Sequence, residues 1–350
     1  MSTANLPALY TYLQEEKTRA YVADQIEESQ LMVPPFEKME NLTNTSYAQA
    51  HFQFQQDGNV NILVNRDGEV MESVFSMTGV LTGKSTMPYL TNRELTQIPA
   101  YGRFGHQYIA LTAPGLSTIA TIKHAISVVH VMASLICPEG SLRPLTDLFL
   151  DGEDAVLASA PLGTPAHHAH PDDTPLVLTQ QQDPNGHVQQ YCQQRGLLVL
   201  QDNQVDVFPG FAQGNVSHLR SRFVRMAAYL STSAGMYDLH GGTSGALLRA
   251  GQIVRVEVGF RIVPVGQGKF ALRMDLKSAA IMNDDVVAAM AFAEAATRIN
   301  SARRTISVAG PGPSTILARV KRAKRNQAAT EKDVADMDTL GDLPFPPAST

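Results

Sequence analysis

Tryptophan is absent from the 350 residues, cysteine occurs twice, and aromatic side chains make up 7% of the chain. Cys137 and Cys192 lie far apart and form no CxxC pair. That excludes a disulfide framework and a cysteine-based zinc module, and free buried thiols in a reducing compartment are expected. No apolar run is long enough to span a bilayer. The longest stretch, Ser117 to Ile136, is broken by Lys123, His124 and His130, so it reads as a buried helix and no membrane partner is expected. The opening MSTANLPALYTYLQEEKTRAY has no basic segment leading into an apolar core, so no secretory signal is expected. There is no GxSxG elbow and no HExxH pair. MTGVLTGKST is not a phosphate loop. Only three residues separate Gly79 from Gly83, and Met87-Pro88 follows Lys84-Ser85 where a helix should begin. No cofactor and no catalytic residue are assigned.

What is present is dominated by one stretch, Gln252 to Lys277. Val254, Val256, Val258, Phe260 and Ile262 alternate with Arg255, Glu257, Gly259 and Arg261. After Pro264-Val265-Gly266-Gln267-Gly268, the residues Phe270, Leu272, Met274 and Leu276 alternate with Lys269, Arg273, Asp275 and Lys277. Period-two alternation on both sides of a glycine-bearing connection predicts a β-hairpin with one buried face. The polar face sets Arg255, Arg261, Lys269, Arg273 and Lys277 against Glu257 and Asp275. It reads as a solvated face with cross-strand ion pairs, or as a surface that meets a polyanion.

Around this hairpin the pattern predicts a mixed α+β protein: a helical core with antiparallel hairpins and a meander, an extended N-terminal arm and a C-terminal tail. Residues 1–45 form the helical arm, with a helix from Ala8 to Met32 ended by Pro34-Pro35. Residues 46–310 form the core, with a possible subdivision near 138–175. Within it, Asp57-Gly58 and Asp67-Gly68 predict a three-stranded meander over His51 to Met77. Further helices are expected at Ser117 to Ile136, Leu145 to Leu150, Val216 to Leu230 and Asp284 to Arg304. Short strands are expected at Leu176–Leu178, Leu197–Leu200 and Val205–Phe208. Residues 311–350 pass from a basic cluster through an acidic block to a Pro-rich end, the composition of a flexible tail.

Two groups of residues carry candidate chemistry. The net charge is −5, yet cations gather locally. Besides the hairpin, Arg220, Arg222 and Arg225 share one predicted helix, and Arg319, Lys321, Arg322, Lys324 and Arg325 open the tail. Such patches suit phosphate backbone or a neighbouring subunit's carboxylates. The other group is Ala166-His167-His168-Ala169-His170-Pro171-Asp172-Asp173. His168, His170 and Asp172 resemble the HxHxDH signature of metallo-β-lactamase-type hydrolases, but Asp173 stands where that family has His. An exposed polar loop is the plainer reading, and a metal site there is the alternative.

A mixed core with amphipathic hairpins, an opening arm, a charged tail and discrete basic patches suits a protein whose task is assembly. In this general character the chain resembles the capsid or nucleocapsid subunits of RNA viruses, such as those of small double-stranded RNA viruses. The resemblance implies a non-enzymatic coat protein. It would associate with itself in a symmetric shell, contact genomic RNA without sequence preference, and reside in the virion and, during assembly, in the host cytoplasm. The N-terminal arm is acidic rather than arginine-rich, which leaves RNA contact to the three basic patches. A metal-dependent hydrolase using the His167–Asp173 loop and a cellular oligomeric scaffold are the other two readings.

Overall fold

The computed structural model describes residues 6–31, 33–67, 71–91, 94–95, 100–101, 104–145, 148–150, 153–169, 173–180, 182–200, 203–208 and 247–291. The chain divides after Met290 into two compact units, and the sheet with its surrounding helices belongs to the first, Met1–Met290. The expected helix at 216–230 and the tail at 311–350 lie outside the described residues.

Helices and strands are both present, and the strands form the framework. In chain order the helices are α1 (Leu6–Gln14), α2 (Glu16–Leu31), α3 (Thr45–His51), α4 (Thr118–Ser134) and α5 (His187–Gln194). The strands are β1 (Phe52–Asp57), β2 (Val60–Asn65), β3 (Val74–Ser85), β4 (Ala100–Tyr101), β5 (Phe104–Thr112), β6 (Leu148–Leu150), β7 (Glu153–Pro161), β8 (Thr164–Pro165), β9 (Leu197–Leu198), β10 (Asp206–Phe208), β11 (Ile253–Gly266) and β12 (Lys269–Asn283). In the main sheet β3, β5, β7, β12 and β11 pair in succession, and β11 returns to β3. The sheet therefore closes on itself as a small barrel, which removes the open edges of those five strands.

The expected hairpin is β11–β12, turned by Gln267-Gly268 with positive φ at Gly266, Gln267 and Gly268. Its apolar residues enter the main core. Val254, Val256, Val258 and Phe260 pack with Phe75 and Met77 of β3, Leu111 of β5 and Ile122 and Val129 of α4. Burying each such side chain contributes about 1.5–3 kcal/mol of transfer free energy.

Several sequence expectations are corrected. The opening helices are not an extended arm: Leu9, Leu13, Val22 and Ile26 are buried in the main core. The apolar stripe they share is what docks them. The meander's second hairpin is reduced to one antiparallel bridge, Val64 to Glu72, with the Ser73 N–H donating to the Leu63 carbonyl at 2.8 Å; beyond it β11 lies between β2 and β3. Gly79, Gly83, Lys84 and Ser85 all lie within strand β3. The short helix expected over 145–150 is replaced by strand β6. No strand forms at Leu176–Leu178. Between the expected strands at 176–178 and 197–200 lies α5, whose first turn is held by Asp183: its carboxylate accepts from the backbone N–H of Val188 (3.2 Å) and Gln189 (2.9 Å).

A second, smaller apolar cluster joins Met87, Tyr89 and Leu95 to Leu162, Leu178, Val188, Cys192, Leu197 and Val199. Among the described residues no helix is long and apolar enough to cross a membrane.

Candidate functional site

The polar face of β11–β12 is where the sequence placed five of its candidate cations, and there the structure departs most from expectation. Arg255 is only 2% exposed, and its guanidinium donates to the backbone carbonyl of Ser29 near the end of α2. Ser29 Oγ and Thr78 Oγ1 share a hydrogen bond of 2.7 Å, which ties α2 to β3 beside it. Glu257 is buried two residues further along β11 and accepts from Ser278 Oγ at 2.6 Å. Burial disfavours the charged guanidinium of Arg255, and the nearby carboxylates of Glu257 and Glu37 oppose that effect. Arg255 thus cannot meet a polyanion from this position; α2 covers it.

The neighbouring cations are held by carboxylates. Arg261 makes a two-pronged contact with Glu72, through Nε at 3.0 Å and Nη2 at 2.7 Å. It also lies 3.1 Å from Asp275. Lys277 reaches Glu72 at 2.8 Å and Asp275 at 3.8 Å. Arg273 pairs with Asp275. Side chains of all five groups are at most about a quarter exposed, and that of Asp275 is 6% exposed. The strand geometry explains the convergence. Gly259 opposes Asp275, Arg261 opposes Arg273, and a register shift after Glu257 leaves Lys277 as the extra residue of a bulge. The carboxylate of Glu72 then lies over Gly259, where no side chain intervenes.

Electrostatics follow from this packing. Burial alone would raise the Asp275 carboxyl, but Arg273, Lys277 and Arg261 together hold it down, to about 2. His106 on β5 is buried, with Arg273 and Asp275 both near enough to act on it. Burial and Arg273 push its imidazole down to about 4 against the pull of Asp275. Lys84, near Arg249, is pushed down to about 8, chiefly by burial.

Of the remaining candidates, Lys269 is exposed at the hairpin tip and donates to the Gly140 carbonyl at 2.8 Å. Arg220, Arg222, Arg225, Arg319, Lys321, Arg322, Lys324 and Arg325 lie outside the described residues, as do His170, Asp172 and the side chain of His168. Ala166–His168 forms a single 3-10 turn. Among the described residues no group of three or more His, Cys, Asp or Glu is placed to hold a metal ion. Sequence reasoning missed Glu72 and His106. Neither stands in a motif, and each gains its role from strands distant along the chain.

No protein-family model matches the sequence, and no curated protein matches it. The chemistry of its own residues is what bears on function.

Proposed function

We propose that the chain is a structural coat protein that assembles with copies of itself into a shell around RNA, without a catalytic step. The observation that carries this reading is the last turn of α4. One side of the helix is buried through Ile122, Val129 and Met132. On the outer side Val131 is 50% exposed and Leu135, one turn on, is 71% exposed, with Ile136 beside it. A hydrogen bond of 2.8 Å between His130 Nε2 and the Arg143 carbonyl brings the 143–145 segment alongside, where Leu145 is also exposed. Grouped exposed apolar side chains fit a contact between subunits better than a solvated surface. A second copy is the occupant we assign, because symmetric self-association buries the same patch on both partners.

The RNA contacts are narrower than the sequence implied. Arg255, Arg261, Arg273 and Lys277 are committed to carboxylates and backbone within the fold. RNA contact then falls to exposed Lys269 and to Arg220, Arg222, Arg225, Arg319, Lys321, Arg322, Lys324 and Arg325. An acidic chain with local basic segments is suited to sequence-independent, salt-sensitive binding.

Light scattering of purified wild-type protein and of Leu135→Glu tests the reading. The wild type should form a high-mass particle and the variant small species with an unchanged melting temperature. A variant that assembles like the wild type sinks the α4 contact. A wild-type particle without nucleic acid favours the cellular scaffold.

A further inference from the structure

β1 ends the main sheet. Among the described residues it pairs with β2 alone, and no strand lies on its other side. The two-residue turn Gly58-Asn59 makes Asp57 and Val60 the closing hydrogen-bonded pair of the hairpin. Alternate residues then bond to β2: Asp57, Gln55 and Gln53. The His51 carbonyl continues the series and accepts from the Arg66 N–H at 2.8 Å. Phe54 and Gln56 therefore turn their backbone N–H and C=O groups away from β2. Phe52 points the same way but is engaged. Its N–H donates to the Ala48 carbonyl, and its carbonyl accepts from Arg66 Nε at 3.1 Å.

Open edges are normally kept short, bulged, or guarded by Pro or Lys. The other strands of this sheet with a single neighbour, β4, β6 and β10, have only two or three residues. β1 has six, with no register break against β2, no Pro, no Lys and one charge, Asp57. Its sequence also complements itself. In an antiparallel pair of two copies centred on Gln55, Phe54 lies opposite Gln56 and Gln56 opposite Phe54. The two outward N–H groups of each copy then meet the two outward carbonyls of the other. Gln53 lies opposite Asp57, an amide facing a carboxylate, and no like charges meet.

We propose that β1 is a second self-association surface: two copies join β1 edge to edge in this register, which continues the sheet from one subunit into the next. The proposal rests on the coat-protein reading and deepens it. One two-fold contact, such as that of α4, closes a dimer, and a larger assembly needs another surface. Pairing of one short strand is small for a lasting dimer, so the α4 and β1 contacts act together.

Light scattering of the full chain and its variants tests the contact. Gln56→Pro removes an outward N–H and spares the ladder to β2, a change that edge strands tolerate. It should stop at dimers and lose the high-mass particle. Gln55→Lys and Gln55→Glu should each do the same, because like charges then face each other across the two-fold axis. Mixing these two proteins in equal amounts should restore the particle. If Gln56→Pro or a single Gln55 variant assembles like the wild type, or the mixture stays small, the β1 contact is overturned while the assembly reading stands. A wild type that never exceeds a dimer overturns both. If Gln56→Pro does not fold, the Gln55 pair decides. Hydrogen exchange over residues 53–57 identifies the occupant: it should slow as wild-type protein is concentrated from the dilute to the assembled state. Exchange that is equally slow at every concentration means that the chain itself covers this edge, and overturns the proposal.

Discussion

The carboxylate of Glu72 occupies the space that a side chain at residue 259 would fill. A Cβ added to Gly259 would meet Glu72 Cδ at 2.9 Å and Lys277 Cε at 3.1 Å. This glycine serves proximity, not a left-handed turn. Without it the two-pronged contact between Arg261 and Glu72 could not sit flat on β11. Gly259→Ala should therefore displace Glu72 and lower stability by about 2 kcal/mol, in the range of overpacking and lost charged hydrogen bonds. Because both effects pass through Glu72, the same substitution should cost clearly less in a Glu72→Ala background. Urea unfolding of the four proteins measures this, and strictly additive losses would refute the coupling.

Arg255 offers a second test. Arg255→Met keeps much of the volume but removes the donor to Ser29 and leaves Glu257 buried without its nearby cation. Breaking a buried charge arrangement from one side should cost about 3 kcal/mol. Adding Glu257→Gln should recover part of the loss, since the uncompensated carboxylate is gone. Thermal melts of the single and double variants decide.

Acid should act on Asp275 below the range in which it acts on His106. The Asp275 carboxyl is held at about 2 in the fold against an ordinary 3.8. A depressed carboxylate stabilises above its unfolded value and loses that contribution as pH falls through the folded one. About 2 kcal/mol is at stake between pH 4 and 2. Asp275→Asn should be less stable than the wild type at pH 6, and the gap should narrow between pH 4 and 2. A gap that stays constant with pH contradicts this.

The two thiols should react in sequence. Both are free, with Cys192 buried and Cys137 part-exposed. Burial, with a smaller push from Asp183, raises Cys192 to about 12, and burial raises Cys137 as well. Thiolate is the reactive form. Iodoacetamide at pH 8 should label Cys137 first and reach Cys192 only on unfolding, as mass spectrometry of intact protein will show.

Local pattern made β11 and β12 legible: alternation from Val254 to Ile262 and from Phe270 to Leu276 names the buried face correctly. The same alternation assigned Arg255 and Glu257 to the opposite face, and that too is right. What it could not supply was the cover on that face. Ser29 lies 226 residues from Arg255 in sequence, and Glu72 lies 189 from Arg261. Nothing local marks such partners, so a face that reads as solvated becomes a second, polar interior. The insertion of β11 between β2 and β3 was hidden for the same reason, because Asp57-Gly58 specifies one hairpin but not the next neighbour of β2. The stripe of α4 was visible from Ile119 to Met132. The sequence read the whole of Ser117 to Ile136 as a buried helix, whereas Val131, Leu135 and Ile136 are exposed, and only the packed helix separates the two sides.

Assembly is the central claim, and the particle mass of the wild-type protein tests it most directly. Size-exclusion chromatography with light scattering gives that mass, and absorbance at 260 and 280 nm across the peak reports nucleic acid. With no Trp and only 10 Tyr, the protein absorbs weakly at 280 nm, so bound RNA will stand out. The coat-protein reading predicts a megadalton particle with an elevated 260 nm signal. A clean monomer or dimer at every salt concentration and pH would contradict it.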